Sequence, residues 1–287
     1  MSGNFKTSVQ KRLDFVMFIE VINGCPNGDP DAGNMPRTDP QTGNGLITDV
    51  CLKHKVRKYV ETTRGNEDGF DIFISEGSVL NDKMKKTYED YGLKPDEKEP
   101  KAVIEQARTY MCKRYFDARV FGAVMSTGNY KADRVTGPVQ LCFGRSIDPI
   151  LPQLVTCTRC ASANEKETVN ADFAPKYIVP YGLYRVEGFF SPALAAKSGC
   201  SDEDLAVLWE ALLNMFELDH SAARGRMATR KLIVFEHDSM YGNAPSYELF
   251  DLVKVSKNCN DRPPRAFSDY TISIGKAPEG VTVLEMR

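Results

Sequence analysis

Residues 23–38 read NGCPNGDPDAGNMPRT, with Asp29 and Asp31 two positions apart among Gly, Pro and Asn. Two close carboxylates in such a loop raise three chemistries: a hard-cation cage, an acid that acts on a ribose hydroxyl, or plain turn formation. A calcium loop starting at Asn27 would put Ala32 where the sharp-turn Gly belongs and Thr38 where a bidentate Glu should close the cage. That reading fails. Asx side chains that bond their own backbone account for the loop without any metal. Of the other groups that could do chemistry, His54, His220 and His237 have no nucleophile at a recognisable motif distance. No Walker loop, GxSxG or HExxH occurs. Cys157 and Cys160 form the sole close cysteine pair, CTRC, with no second pair to complete a zinc site. The expectation is therefore no catalytic residue, no metal and no cofactor.

The basic residues are more informative. On a helix following the loop, Lys53 and Arg57 stand one turn apart and Arg64 continues their line, with no acid in the stripe. Arg37 lies in the loop leading into that helix. Further cations cluster at Lys113, Arg114 and Arg119, and at Arg224, Arg226, Arg230 and Lys231. A solvated face with aliphatic stems on the sheet explains one such helix. Several clusters in a chain of net charge −2 suggest faces of opposite sign, as in a polyanion binder that also self-assembles.

Elements must position these groups. DFVMFIEVING (Asp14 to Gly24) is apolar on both faces and predicts a buried central strand. Thr48 or Asp49 caps a helix whose core face is Leu52, Val56, Tyr59 and Val60. Residues 64–100 read as an insertion, with FDIFIS (Phe70 to Ser75) as its one strand, and a second helix runs from Lys101 to Phe116. Strands follow at Ala118 to Met125, Gly137 to Ile147 and Lys176 to Phe190. The polar stretch between the last two, about 148–175, predicts an extended hairpin. Ser201 caps a helix with Asp202, Glu203 and Asp204 in its first turn and Leu205, Leu208, Trp209, Leu212 and Phe216 as its apolar stripe. RKLIVFEH, ELFDLVKV and YTISIG complete the strands. This order predicts one α+β domain over 1–287: a ferredoxin-like antiparallel sheet with helices on one face and loop insertions.

The chain has 287 residues, 42% apolar and 26% charged, ordinary for a globular protein. Its longest apolar run near the N-terminus, Phe15 to Ile19, is too short for a signal core or a membrane span. Eight scattered cysteines fit free thiols in a reducing compartment, so the expectation is cytoplasmic, with no membrane partner.

NGCPNGDPDAGNMPRTDPQTGNGLITDVCLKHKVRKYV resembles the N-terminal signature of backbone subunits of CRISPR Cascade complexes, the Cas seven family, and in particular the type I-C branch. The likeness continues through ARVFGAV, TGPVQLCFGRSIDPI, KYIVPYGLYRVEGFFS and ELDHSAARGRMATRKLIVFEHDS, nearly the whole chain. It implies a core like the RNA-recognition motif, with the 148–175 hairpin as a protruding thumb. It implies copies of the chain stacked along one CRISPR RNA, other Cascade subunits, target DNA met through the guide, and a recruited helicase-nuclease. It places Lys53, His54 and Arg57 on the helix that grips the guide backbone, with Arg37 before it. Arg64, Arg224 and Arg226 complete the expected RNA-binding set. No aromatic RNP1 pattern is present, which disfavours base stacking on the sheet and leaves backbone gripping. Two rival functions remain at this point: a type III-like backbone ribonuclease cutting RNA with Asp29 or Asp31, and a stand-alone RNA chaperone.

Overall fold

The computed structural model describes residues 7–94, 101–158, 173–259 and 262–287. Strand β1 (Leu13–Gly24) leads into a miniature pair, β2 (Gly28–Asp29) and β3 (Met35–Pro36), then β4 (Asn44–Ile47) and α1 (Asp49–Arg64). Helices α2 (Leu80–Asp90), α3 (Lys101–Arg114) and α4 (Phe116–Val120) precede β5 (Gly122–Met125) and β6 (Asp133–Thr136). Next come β7 (Val139–Leu141), β8 (Gly144–Pro149), β9 (Gln153–Thr158) and the long β10 (Phe173–Phe190). Helices α5 (Pro192–Ser198) and α6 (Asp202–Asn214), β11 (Arg226–His237) and α7 (Ser246–Asp251) follow. The last strands are β12 (Val253–Lys257), β13 (Tyr270–Ile274) and β14 (Val281–Glu285).

The main sheet runs β14-β11-β1-β10-β8-β4, with β7 and β9 also pairing on β10, and every pairing is antiparallel. β1 sits at its centre, Leu13 opposite Phe190 and Glu236, Ile22 opposite Tyr181 and Arg226. Period-two alternation sends Leu13, Phe15, Met17, Ile19 and Val21 to one face. There they meet Leu52, Val56, Tyr59 and Val60 of α1 and Leu205, Leu208, Trp209 and Leu212 of α6, the stripes expected from the sequence. Trp209 lies edge-on to Phe15, centroids 5.2 Å apart, and its indole N–H donates to Thr7 Oγ1.

Val16 and Phe18 point the other way, into a core with Leu183, Ile233 and Phe235, closed by Leu249 and Phe250 of α7 and by the β12–β13 hairpin. The expectation of helices on one face is therefore corrected: a helix and a hairpin cover the second face. The segment ELFDLVKV is accordingly α7 followed by β12, not one strand.

A third core unites Phe73, Met84, Tyr88, Met111, Tyr115, Met125 and Val135. α2, α3 and the β5–β6 hairpin thus pack as one unit that draws on residues both inside and beyond 64–100. Phe70 to Ser75 is not a strand. The backbone N–H groups of Phe73 and Ile74 donate instead to the Asp117 carboxylate, at 2.6 and 3.0 Å. Ala118 to Met125 is likewise split, into the end of α4 and β5, by Gly122 at φ +84°.

β9 pairs with the first third of β10, Gln153 opposite Ile178 through Thr158 opposite Phe173, and Leu151, Leu154 and Val155 are exposed. β9 and the start of β10 overlap the stretch of about 148–175 expected to form a hairpin, and their pairing continues beyond it to Ile178. Residues 159–172, including Cys160 of CTRC, lie outside the described residues. Among the described residues no helix is long and apolar enough to cross a membrane.

Candidate nucleic-acid interface

Three segments converge at the N-terminal half of α1. The first is the Gly/Pro loop. Asp29 is extended (φ −103°, ψ 111°), as a residue before Pro30 should be, and its Oδ1 accepts from the backbone N–H of Asp31. Gly33 closes the turn at φ +61°. Arg37 Nη1 lies 3.3 Å from the same Asp29 oxygen, so this carboxylate shapes the loop and anchors an arginine. Asp29 behaves as the turn-former expected. Asn27 Oδ1 accepts from both the backbone N–H and the hydroxyl of Thr48, which in turn caps α1 by accepting from the N–H of Cys51. The loop is thereby pinned to the helix.

The second is the capped start of α1 itself; the third is 219–226, which follows α6 and runs into the first residue of β11. Its backbone crosses the end of β1 so closely that a Cβ on Gly24 would overlap the Arg224 carbonyl, and one on Gly225 the Asn23 carbonyl. Cys25 N–H donates to Ala223 O, and Arg224 Nη1 donates to the carbonyls of Cys25 and Pro26 at 3.0 and 3.1 Å. Arg224 is thus held at the α1 end of the sheet.

Asp219 is the hub. Its Oδ2 binds Lys55 Nζ and lies 3.5 Å from Arg224 Nε, while its Oδ1 lies 3.6 Å from Lys58 Nζ. Lys55 is 2% exposed, whereas the Lys58 side chain is about half exposed. Burial lowers the Lys55 pKa, against the hydrogen bond to Asp219. Burial alone would raise Asp219, but the Lys55 hydrogen bond and the charges of Lys55, Arg224 and Lys58 outweigh it and hold its pKa below the ordinary value. His54, on the exposed side of α1, is pushed down by desolvation and by Lys55. Three cations on one carboxylate leave two positive charges uncompensated here.

The seven residues singled out in the sequence separate. Arg37, His54, Arg224 and Arg226 belong to this region, and Arg226 is exposed with no ion-pair partner among the described residues. Lys53 faces elsewhere, over the Phe121 ring at 5.9 Å and paired with Asp49 at 3.0 Å, an acid on its own helix that the supposedly acid-free stripe overlooked. Arg57 is corrected outright as an exposed phosphate contact. It is 8% exposed, its Nε donates to Asp117 Oδ2 at 2.7 Å, and Phe121 covers its guanidinium. Arg64, about 16 Å along the axis from Lys53, lies over Phe70 and pairs with Glu67 at 2.8 Å.

Nor do the other basic clusters form free faces. Arg119 makes a bidentate buried pair with Asp204 (2.6 and 2.8 Å), and Arg114 binds Asp71 and Asp90. Arg230 binds Glu20, and Lys231 binds Glu285. The expected separation of acids from bases gives way to pairing. Lys55, Lys58 and Asp219 were missed. His54 and Lys58 are an i,i+4 pair legible in HKVRK, but no local pattern announces Asp219.

Comparison with known proteins agrees with this architecture. The family model for CRISPR-associated protein Cas7 matches residues 11–275. A relative from Haloferax volcanii described as CRISPR-associated protein Cas7 is 24% identical over 221 residues, 69% of this chain and 64% of its own length. The chain therefore aligns to somewhat under two thirds of that relative. A chain of a "CRISPR RNA-guided surveillance complex, pre-nicking" shares the fold at TM-score 0.50 and 13% identity, with 78% of each chain covered. A chain of another CRISPR RNA-guided surveillance complex aligns at TM-score 0.48 and 13% identity, covering 78% of this chain and 68% of its own. With 11–275 matched to a single family model, the chain belongs to the Cas7 family of CRISPR-associated proteins.

Proposed function

We propose that this protein is a CRISPR RNA-binding backbone subunit of a type I-C Cascade complex, that copies of it line the guide, and that it performs no catalysis. The observation that carries the reading is the uncompensated charge around Asp219, held where the loop, α1 and the 219–226 turn meet. On this reading Arg37, His54, Lys58, Arg224 and Arg226 contact phosphates, with Lys53 and Arg64 flanking them. The pattern suits backbone gripping, because the second sheet face, where an RNA-recognition motif would stack bases, is filled by α7 and the β12–β13 hairpin. The exposed Leu154 and Val155 of the β9–β10 hairpin supply apolar surface for the next copy. Target DNA is met through the displayed guide bases, and its destruction falls to a recruited helicase-nuclease.

The test is what accompanies the purified protein. Uniform short CRISPR RNA beneath an elongated oligomer supports the reading; mixed RNA on a monomer supports a chaperone. The ribonuclease alternative is tested with Mg²⁺ and RNA complementary to the guide. Asp29 already caps the 3-10 turn and pairs with Arg37, so Asp29→Ala and Asp31→Ala should loosen assembly at most. Regularly spaced fragments that vanish in either mutant would establish a nuclease.

A further inference from the structure

Among the cations near α1, the trio on Asp219 differs from the rest in how it is built. Lys55 is buried beneath the carboxylate and has no path to solvent-borne ligands. Lys58 and Arg224 approach from the surface side at 3.6 and 3.5 Å, beyond ordinary hydrogen-bond distance for charged groups. Arg224 is anchored independently by two backbone carbonyls, so its place does not depend on Asp219. One oxygen pair therefore sits at the focus of a fixed arginine and a half-exposed lysine, above a buried ammonium. That is the charge pattern of a phosphate seat.

We propose that Asp219 occupies the seat of an RNA phosphate: without RNA its carboxylate engages Lys58 and Arg224, and on binding an RNA phosphate displaces it from both while it keeps Lys55. Asp219 is then an internal competitor that weakens binding at each copy and keeps the buried lysine paired in both states. This inference rests on the RNA-binding reading above and adds to it where the phosphate lies and what it competes with. Physically the exchange is near-balanced. Two solvent-accessible ion pairs are replaced by two others, and the buried pair, costly to break, is untouched.

The test uses a double substitution, Lys55→Met with Asp219→Asn. It removes the buried amine and the carboxylate together, so no lone charge is left in the core and the net charge of the chain is unchanged. Lys58 and Arg224 are then free of their competitor. Binding of an unstructured single-stranded RNA, oligouridylate, is measured by fluorescence anisotropy against salt. Releasing two surface ion pairs of ordinary strength corresponds to about two- to thirtyfold tighter binding. Adding Lys58→Ala to the double variant should cancel much of that gain. Asp219→Asn alone, compared with Glu217→Gln as a matched charge change on the same exposed turn, gives a second measurement, read with the melting temperature because Lys55 loses its partner. If the wild type binds RNA and the double variant, folded by circular dichroism, binds no tighter, the competitor role is refuted and Asp219 merely holds Lys55. If the wild type binds no RNA at this surface, the RNA-binding reading itself fails.

Discussion

Arg57→Ala separates a structural cation from a phosphate contact. Arg57 reaches Asp117 at 2.7 Å, and its side chain is 9% exposed against 1% for the carboxylate. Removing the guanidinium leaves Asp117 charged and buried, with the N–H groups of Phe73 and Ile74 as its remaining hydrogen-bond donors among the described residues. Breaking one side of such a pair costs about 3–5 kcal/mol. For a chain of 287 residues the unfolding entropy is about 0.6 kcal/mol/K, so the melting temperature should fall by about 5–8 °C if it unfolds in one step. Differential scanning calorimetry reads this directly. The salt dependence of RNA binding, measured well below the melt, should keep its wild-type slope. Arg57→Met with Asp117→Asn should recover part of the loss, since a neutral replacement removes the stranded charge. The reasoning is refuted if Arg57→Ala melts within about 1 °C of wild type while the log–log salt slope flattens by about 0.7, the signature of one lost phosphate contact.

Lys58→Ala and Arg226→Ala should do the opposite: each flattens the salt slope by about 0.7 at most, alike for unrelated guide sequences, and each changes stability by less than about 0.5 kcal/mol. Replacing residues 154–172 with a short Gly/Ser linker should leave a folded chain that no longer forms long oligomers on RNA, read by size-exclusion chromatography and circular dichroism; outright unfolding would place the segment in the core. Acid should destabilise the fold below pH 4. Hydrogen bonds from Arg145 hold Asp39 below its ordinary 3.8, Arg262 holds Asp269 at about 2, and the Lys55 interaction outweighs burial to lower Asp219. Folded-state values below the unfolded ones mean these contributions are present above pH 3.8 and lost as pH falls through each folded value, about 2 for Asp269, and Asp269→Asn should make that fall shallower.

The elements read correctly are those whose signals are local. The apolar run of β1, the Thr48 cap, and the Ser201 start with its acidic first turn are each decided within a few residues. Misreadings arose where a distant partner intervened. Phe70 to Ser75 has strand composition, but its N–H groups are taken by Asp117, over forty positions away. The basic stripes were over-counted for the same reason. Arg57 finds its acid 60 residues on, Arg119 finds Asp204 at a separation of 85, and Lys55 finds Asp219 at 164. Charge patterning along a helix reveals which cations exist but not which the fold neutralises. α7 reads as strand because ELFDLVKV is a short run with Leu249, Phe250, Leu252, Val253 and Val255 apolar, the ambiguity that periodicity alone does not resolve.

On the proposed reading, pairing of most of the described cations is how a chain of net charge −2 would hold a polyanion without sequence preference. Arginines such as 57, 114 and 119 spend their charge inside the fold, joining the insertion to α1, α6 and one another. What remains for a phosphate is a small surplus at one end of α1. A protomer with at most five such contacts would bind a single strand weakly, and more weakly still with Asp219 competing. Weak binding per copy is what an ordered array requires. If neighbours join through their hairpins, as proposed, each further contact would be made at high effective concentration, so a filament would grip firmly while any one misplaced copy could still let go and shift along the RNA. A strongly basic monomer would coat any RNA it met and forfeit that selectivity for the assembled state. On that reading the paired interior and the sparse surplus are one design: charge first sets the fold, and only the remainder would hold a guide.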